Sequence, residues 1–116
     1  MNKIKYILIT GCSSGIGYNT AVKLHQRGWR VIATCKKKKD CHKLKQLGLI
    51  STEFDYANEK NINDLLEFLK MKKISKIDAI FNNGAYAIPG AIEDIPRQAF
   101  REIFEVNVFG YIDLIN

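Results

Sequence analysis

The sequence of 116 residues predicts an α/β domain with a parallel, doubly wound sheet. Three observations lead to this prediction. Short apolar segments alternate along the chain with segments of helical periodicity. The first apolar segment is almost continuous, which is typical of a strand buried on both faces. A glycine-rich turn joins that strand to the first helix, as in nucleotide-binding βα units.

The first predicted unit is a strand over residues 4–10 and a helix over residues 15–27. The strand is predicted because Ile7, Leu8 and Ile9 form a contiguous apolar run that ends at a glycine turn. The helix is predicted from helical spacing of its apolar residues. Gly28 follows at the position of a C-terminal cap, so we expect the helix to end there.

A second strand and a short basic helix are predicted next, over residues 30–35 and 39–47. Gly48 ends this helix as Gly28 ends the first. Residues 49–54 show a weaker apolar pattern and are predicted as the third strand.

The C-terminal part is predicted to contain a helix, a strand and a final helix. Residues 58–71 place apolar side chains on one helical face, with Asn58 or Asn61 as the N-cap. Residues 77–81 form the fourth strand. The last helix begins near Pro96, which suits a first-turn position, and runs towards the end of the chain.

Composition is that of an ordinary soluble domain, with 47% apolar and 26% charged residues. No apolar run is long enough to span a bilayer, and the N-terminus lacks the features of a secretory signal. The three cysteines are odd in number and show no framework spacing, which suits a reducing compartment. We therefore expect a single cytoplasmic domain over residues 1–116, with no membrane partner and no metal site.

The turn after the first strand reads Thr10-Gly11-Cys12-Ser13-Ser14-Gly15-Ile16-Gly17. Gly11 permits a tight turn, Gly15 lets backbone approach a pyrophosphate, and Gly17 lets the helix pack closely on the strand. The N-terminus of the helix then offers free N–H groups and the positive end of its dipole to phosphate. The alternative is a tight βα turn that binds no ligand.

This turn resembles the TGxxxGxG motif of the short-chain dehydrogenase/reductase family. Asn82-Asn83-Gly84-Ala85 resembles the family's NNAG after the fourth strand, with the last two residues exchanged. Asn107, in Val106-Asn107-Val108-Phe109-Gly110, stands where the family has an Asn in the next helix. The resemblance implies a Rossmann-like fold, truncated here after about four strands and the following helix, in which the catalytic C-terminal half is absent.

The end of the second strand predicts which nicotinamide cofactor the chain prefers. The resemblance places there the residue that distinguishes NAD from NADP, and an Asp would repel a 2′-phosphate. This chain has neutral Cys35 followed by Lys36, which removes the repulsion and offers a cation. Ser13 could donate to the same phosphate, and Lys37 is the second candidate cation. We therefore expect NADP(H) rather than NAD(H), the alternative being that residues 36–39 are only a solvated basic loop.

By the same resemblance, the Asp55 carboxylate accepts from the adenine amino group and the Tyr56 backbone helps to frame the ring. A lone Asp after a strand is otherwise most often a turn former. Asn82 and the backbone after it line the adenosine ribose. The predicted cofactor-binding residues are Gly11, Ser13, Ser14, Gly15, Ile16, Gly17, Cys35, Lys36, Asp55, Tyr56, Asn82, Asn83, Gly84 and Ala85.

The resemblance also implies the family's reaction, a hydride exchange between nicotinamide and a carbonyl or alcohol substrate. Of the catalytic residues we expect only Asn107 in this chain, with the Ser and the Tyr-x-x-x-Lys pair well beyond Asn116. None of the five tyrosines is expected to be the base, so we predict no turnover by the chain alone. A standalone nucleotide-binding module without catalysis is the alternative. Nucleic-acid binding through the lysine run is disfavoured, since no groove-reading or aromatic elements accompany it.

The fourth strand and the last helix are expected to be incompletely covered. Without a fifth strand, the fourth strand is an open edge, and the long helix that often forms family dimers is absent. Exposed apolar edges favour aggregation. We therefore expect marginal stability and an oligomer interface that is mostly missing.

Overall fold

The computed structural model describes residues 4–58 and 60–116. Within these residues the chain forms four strands and five α-helices, with a 3₁₀ turn at Ile92–Asp94 and a π-helical turn at Glu105–Gly110. The strands are β1 (Tyr6–Ile9), β2 (Arg30–Cys35), β3 (Ile50–Glu53) and β4 (Ala79–Phe81), and the α-helices are α1 (Gly15–Gln26), α2 (Lys38–Gln46), α3 (Lys60–Met71), α4 (Arg97–Phe104) and α5 (Tyr111–Ile115).

The four strands form one parallel sheet in the order β3-β2-β1-β4. Leu8 of β1 is in register with Ile32 of β2 on one side and with Ile80 of β4 on the other. The chain places β2 and β3 on one side of β1 and then β4 on the other, so the strand order reverses between β1 and β4. In open parallel sheets such a reversal leaves a crevice at the carboxyl ends of the strands, which is where ligands bind.

The two faces of the sheet bury separate apolar clusters. Ile9 and Val31 point to one face and pack against Ala21 of α1 and Leu44 of α2. On the opposite face, Leu8 and Ile32 pack among residues of α3 and of the C-terminal helical segment. That second cluster contains Phe54, Tyr56, Leu65, Leu69, Ile74 and Val106. Helices thus cover both faces, which confirms the doubly wound α/β fold that the sequence predicts.

The glycines that follow α1 and α2 match the sequence prediction closely. Gly28 and Gly48 have φ values of +94° and +92°, the left-handed conformation that a helix-ending glycine adopts. Of the two candidate N-caps, Asn58 has the capping role, because its Oδ1 accepts the Lys60 N–H at 3.0 Å. Asn61 lies inside the first turn of α3 and its Oδ1 accepts the Asp55 N–H instead, at 2.7 Å.

The final helical segment differs from the single helix predicted. Pro96 has extended ψ of 151° and is the N-cap of α4 rather than a first-turn residue. The helix then widens into the π-helical turn before α5 begins. Gly110, the last residue of the turn, packs so closely on Tyr56 that an added Cβ would lie 2.6 Å from the Tyr56 Cβ.

Part of the molecular surface is apolar. Within residues 4–58 and 60–116, β4 pairs with β1 alone, so it is the edge strand, and its Ile80 is 39% exposed. Phe104, Phe109, Ile112 and Ile115 are also exposed. The open edge matches the expectation, while marginal stability stays a prediction. No helix in the part of the chain that is described is long and apolar enough to cross a membrane.

Candidate functional site

A cleft of about 500 Å³ opens at the carboxyl ends of the strands, where the strand order reverses. The glycine turn, the residues after β2 and the residues after β4 contribute to its walls. The lining residues are Thr10, Gly11, Ser13, Cys35, Lys36, Lys37, Asp40, Phe54, Tyr56, Asn83, Gly84, Ala85 and Val106. The structure therefore brings together predicted residues from four separate segments of the sequence.

Glycine is required at each of three positions in the turn for a different geometric reason. Gly11 has φ of +67°, and an added Cβ would lie 2.9 Å from the Gly84 Cα. Gly17 permits close packing, because its Cβ would overlap the Gly11 carbonyl oxygen and lie 2.6 Å from Asn83 Nδ2. Gly15 has φ of +63°, and its Cβ would meet only open space. Two of the glycines are thus required by backbone contact, and the third by its left-handed conformation beside an open surface.

The N-terminus of α1 presents unpaired backbone donors to this open space. Ser14 is the N-cap in extended conformation, and its side chain does not cap the helix. The first N–H groups of a helix have no partner within it, so those of the first turn, which begins at Gly15, remain available. Together with the helix dipole they form a site for an anion such as a phosphate.

One wall of the cleft is a buried network of hydrogen bonds. Thr10 Oγ1 accepts the Asn83 and Gly84 N–H groups at 3.1 and 2.9 Å. The Tyr56 hydroxyl donates to Asn82 Oδ1 at 2.8 Å, which leaves the Thr10 hydroxyl to donate to the Tyr56 oxygen, also at 2.8 Å. Every hydroxyl in the network therefore both donates and accepts, and the loop after β4 is held to the end of β1.

The Tyr56 side chain is the centre of this wall, a role that the sequence analysis missed. Its ring packs edge-on against Phe54 at 5.0 Å and tilted against Tyr111 at 4.8 Å between centroids. Burial raises the pKa of the Tyr56 hydroxyl from 10.0 to about 12, although the hydrogen bond to Thr10 acts in the opposite direction. Tyr111 donates its hydroxyl to the Gly84 carbonyl, and burial raises its pKa as well.

The opposite wall carries the positive charge. Lys36 and Lys37 follow β2, line the cleft and are exposed. The Cys35 side chain beneath them is buried, and burial, followed by the nearby Cys41 and Cys12 thiols, raises its pKa from 9.0 to about 12. The thiol is therefore neutral at physiological pH. This wall consists of solvated cations above an uncharged strand end.

Six of the predicted cofactor-binding residues lie outside the lining of the cleft, namely Ser14, Gly15, Ile16, Gly17, Asp55 and Asn82. The Asp55 carboxylate accepts the Ala57 N–H at 3.0 Å, as a turn-forming Asp does, and it borders a second compartment with Lys36. Ile16 is 71% exposed on the first turn of α1. Neither observation tests their predicted contacts with a cofactor.

A family model described as short chain dehydrogenase matches residues 5–116. The chain belongs to this family. Similar proteins include the uncharacterized oxidoreductases YbbO of Escherichia coli and YusZ of Bacillus subtilis. YbbO is 30% identical over 106 residues, 91% of this chain and 39% of the relative. YusZ is 38% identical over 121 residues, 97% of this chain and 41% of the relative.

Solved structures share the fold of this chain. A short-chain dehydrogenase from Streptomyces avermitilis has a TM-score of 0.87 and 25% identity, covering 97% of this chain and 42% of that one. An actinorhodin polyketide ketoreductase solved with NADPH has a TM-score of 0.84 at 21% identity, covering 97% and 45%, which shows a shared fold. The chain thus spans about two fifths of the length of the curated relatives named above.

Short-chain dehydrogenases are oxidoreductases that bind a nicotinamide dinucleotide, and the cleft has features that such a ligand requires. The open space at Gly15 adjoins the unpaired donors of α1, where a pyrophosphate can approach the backbone. Ser13 and Lys36 line the same cleft and can both donate to a further phosphate. The residues present therefore fit a dinucleotide.

The family's Tyr-x-x-x-Lys spacing also occurs within this chain, at Tyr56 and Lys60, although none of the tyrosines is expected to be the base. The structure places the two residues in different environments. Tyr56 lies in a turn before α3, whereas Lys60 is the exposed first residue of that helix. The Tyr56 hydroxyl is already bonded to Thr10 and Asn82, and its pKa is raised, which is opposite to what a base needs.

Asn107 lies in the π-helical turn, and its amide is used in a local pairing. Its Oδ1 accepts the Tyr86 N–H at 3.0 Å, and its Nδ2 donates to the Tyr86 carbonyl at 2.7 Å. This double hydrogen bond holds the segment after β4 against the helical segment. Asn107 thereby acts here as a positioning residue, and its predicted catalytic role stays a prediction.

Proposed function

We propose that the cleft binds NADP(H) in preference to NAD(H). The observation that supports this preference is Lys36, an exposed cation directly after the buried, neutral Cys35 in the cleft that Ser13 also lines. No carboxylate stands at the end of β2 to repel a 2′-phosphate. A charged hydrogen bond from Lys36 and a hydroxyl from Ser13 would favour the phosphorylated ribose.

The remaining contacts follow from the position of each segment. The first turn of α1 would bind the pyrophosphate, and the loop from Asn82 to Ala85 would border the adenosine ribose. Asp55 would accept from the adenine amino group in the second compartment beside the cleft. In this arrangement the buried wall positions the cofactor, and the exposed lysines select it by charge.

One relative carries this preference in its name. The NADPH-dependent 1-acyldihydroxyacetone phosphate reductase of Schizosaccharomyces pombe is 27% identical over 113 residues, which is 97% of this chain and 38% of that protein. Other relatives are named for hydroxybutyrate or retinol. The reaction proposed for the whole protein is therefore a hydride exchange between the nicotinamide and a carbonyl or alcohol substrate. No narrower substrate class is proposed.

The test is a fluorescence or calorimetric titration of the 116-residue chain with NADPH and with NADH. We expect NADPH to bind more tightly, and Lys36→Ala to weaken NADPH binding by about tenfold while leaving NADH binding little changed, as loss of one charged hydrogen bond implies. Lys45→Ala is the matched control, since Lys45 is an exposed cation of α2 outside the cleft.

The same protein is then assayed for NADPH oxidation with a carbonyl substrate. We expect binding without turnover. Equal affinity for the two dinucleotides, or an equal effect of Lys36→Ala and Lys45→Ala, would contradict the NADP(H) preference. Measurable oxidation by this chain would contradict the view that it binds the cofactor without using it.

A further inference from the structure

A second compartment of about 430 Å³ adjoins the cleft, and the two share Lys36 and Val106. Val106 is 5% exposed and forms part of both linings, so it lies at their boundary. Lys36 borders the two spaces with a long, exposed side chain. Within residues 4–58 and 60–116, no carboxylate lies within 4.0 Å of its ammonium group. Among these residues, no ion pair therefore holds the Lys36 ammonium group in one compartment or the other.

The charges in the two compartments are opposite. The cleft is lined by Lys36, Lys37 and one carboxylate, Asp40. The second compartment is lined by three carboxylates, those of Asp55, Glu102 and Glu105, and by a single cation, which is again Lys36. The acidic compartment thus competes with the cleft for the same ammonium group.

Glu102 and Glu105 come from the C-terminal helical segment, far in sequence from the lysines. They are three residues apart at the junction of α4 and the π-helical turn, a spacing that places both on one helix face. Neither belongs to the family motifs that resemble the cofactor site.

We infer that Glu102 and Glu105 determine the strength of the cofactor preference, by attracting Lys36 away from the 2′-phosphate position and by opposing that phosphate's charge. This inference rests on the proposed function. Both effects reduce the affinity for NADPH, whereas NADH, which lacks the 2′-phosphate, is affected much less. The carboxylates therefore moderate the preference that Lys36 creates.

The test uses the 116-residue chain with Glu102→Gln and Glu105→Gln combined. We expect NADPH affinity to rise about two- to fivefold with little change for NADH, since pairs of exposed charges interact weakly. At about 1 M salt, where the Debye length is about 3 Å, the gain disappears. Glu93→Gln with Asp94→Asn is the matched control, because it removes the same charge from an exposed turn outside both compartments.

A third measurement tests the part played by Lys36. In a Lys36→Ala background the two glutamine substitutions should raise NADPH affinity by less than twofold, because no ammonium group remains to be redirected. A full gain in that background would overturn the role of Lys36. Equal gains for NADPH and NADH, or for the control pair, would overturn the inference as a whole.

Failure of the inference is distinguishable from failure of the proposed function. If NADPH binds, Lys36→Ala weakens it and the glutamine variants have no effect, the proposed function stands and the inference is wrong. If the parent chain binds neither dinucleotide, both are wrong. Circular dichroism of each variant should give the spectrum of the parent chain, because the substituted side chains are exposed or half-exposed.

Discussion

The two walls of the cleft are built by different physical means. On the wall between β1 and β4, Thr10, Tyr56 and Asn82 form a chain of hydrogen bonds beside the buried rings of Phe54 and Tyr56. On the wall after β2, Lys36 and Lys37 are exposed and make no ion pair within the described residues. The first wall depends on exact packing, and the second on charge in water.

This difference separates stability from selectivity. Substitutions in the buried wall should change the free energy of unfolding, because they leave polar atoms unpaired or force backbone apart. Substitutions of the exposed lysines should change which ligand binds and hardly change stability.

Alkaline pH should have the largest effect, since both walls bury neutral groups that ionise on unfolding. The Cys12 and Cys35 thiols have their pKa raised from 9.0 to about 12, and Tyr56 from 10.0 to about 12, mainly by burial. The unfolded chain therefore loses these protons first. Stability is complete below about pH 9 and declines as the pH rises towards 12, by on the order of a few kcal/mol for each thiol.

Thermal unfolding measured from pH 7 to pH 12 checks this expectation. Cys35→Ala should make the decline between pH 9 and 12 shallower, whatever its stability at pH 7. Ser51→Ala is the control and should leave the slope unchanged, because it alters a buried side chain that does not titrate in this range. A thermal unfolding midpoint that stays constant from pH 7 to pH 12 would show that the thiols do not titrate as buried groups.

Alanine substitutions at two glycines of the turn should differ in their cost to stability. Gly17→Ala should cost about 3 kcal/mol of stability, because its Cβ overlaps the Gly11 carbonyl oxygen. Gly15→Ala should cost about 1 kcal/mol, from left-handed backbone alone, since its Cβ meets open space. Urea unfolding measures both costs.

The same two variants separate packing from ligand approach. Gly15→Ala places a methyl group beside the first turn of α1, so it should weaken NADPH binding more than its small stability cost suggests. Equal stability losses for the two variants would show that the contacts at Gly17 do not matter.

Removal of one hydroxyl should have a smaller effect. Tyr56→Phe leaves Thr10 Oγ1 and Asn82 Oδ1 each without one partner, which should cost about 1–3 kcal/mol in urea unfolding. Tyr18→Phe is the matched control, since Tyr18 is half-buried against the other apolar cluster and takes no part in the network. Its cost should stay below about 0.5 kcal/mol. A Tyr56→Phe variant as stable as the control would mean that water replaces the lost hydroxyl.

Local sequence patterns predicted most of the elements. The apolar run before Gly11 predicted β1, and the glycines at positions 28 and 48 predicted the ends of α1 and α2. The π-helical turn could not be predicted in this way. It lies where Gly110 packs against Tyr56, and these residues are 54 positions apart in the sequence.

The candidate site likewise contains residues that could be assigned from the sequence and residues that could not. Cys35 and Lys36 could be assigned to the predicted cofactor site because the family resemblance places the cofactor-selective residue at the end of the second strand. The Tyr56 side chain could not be assigned, since its hydroxyl partners come from the ends of β1 and β4. The acidic compartment beside Lys36 was likewise not predictable from the spacing of Glu102 and Glu105.

The fold class, the glycine turn and the change from neutral Cys35 to basic Lys36 were predictable from local sequence, because each depends on residues adjacent in the chain. Which polar groups are buried, and which carboxylates adjoin Lys36, became clear only in the folded molecule. Hydrogen-bond partners, burial and charge environment depend on distances between segments, and no local pattern specifies these distances. Tyr56 illustrates this best: its spacing to Lys60 resembles a catalytic pair, yet packing makes it part of the wall.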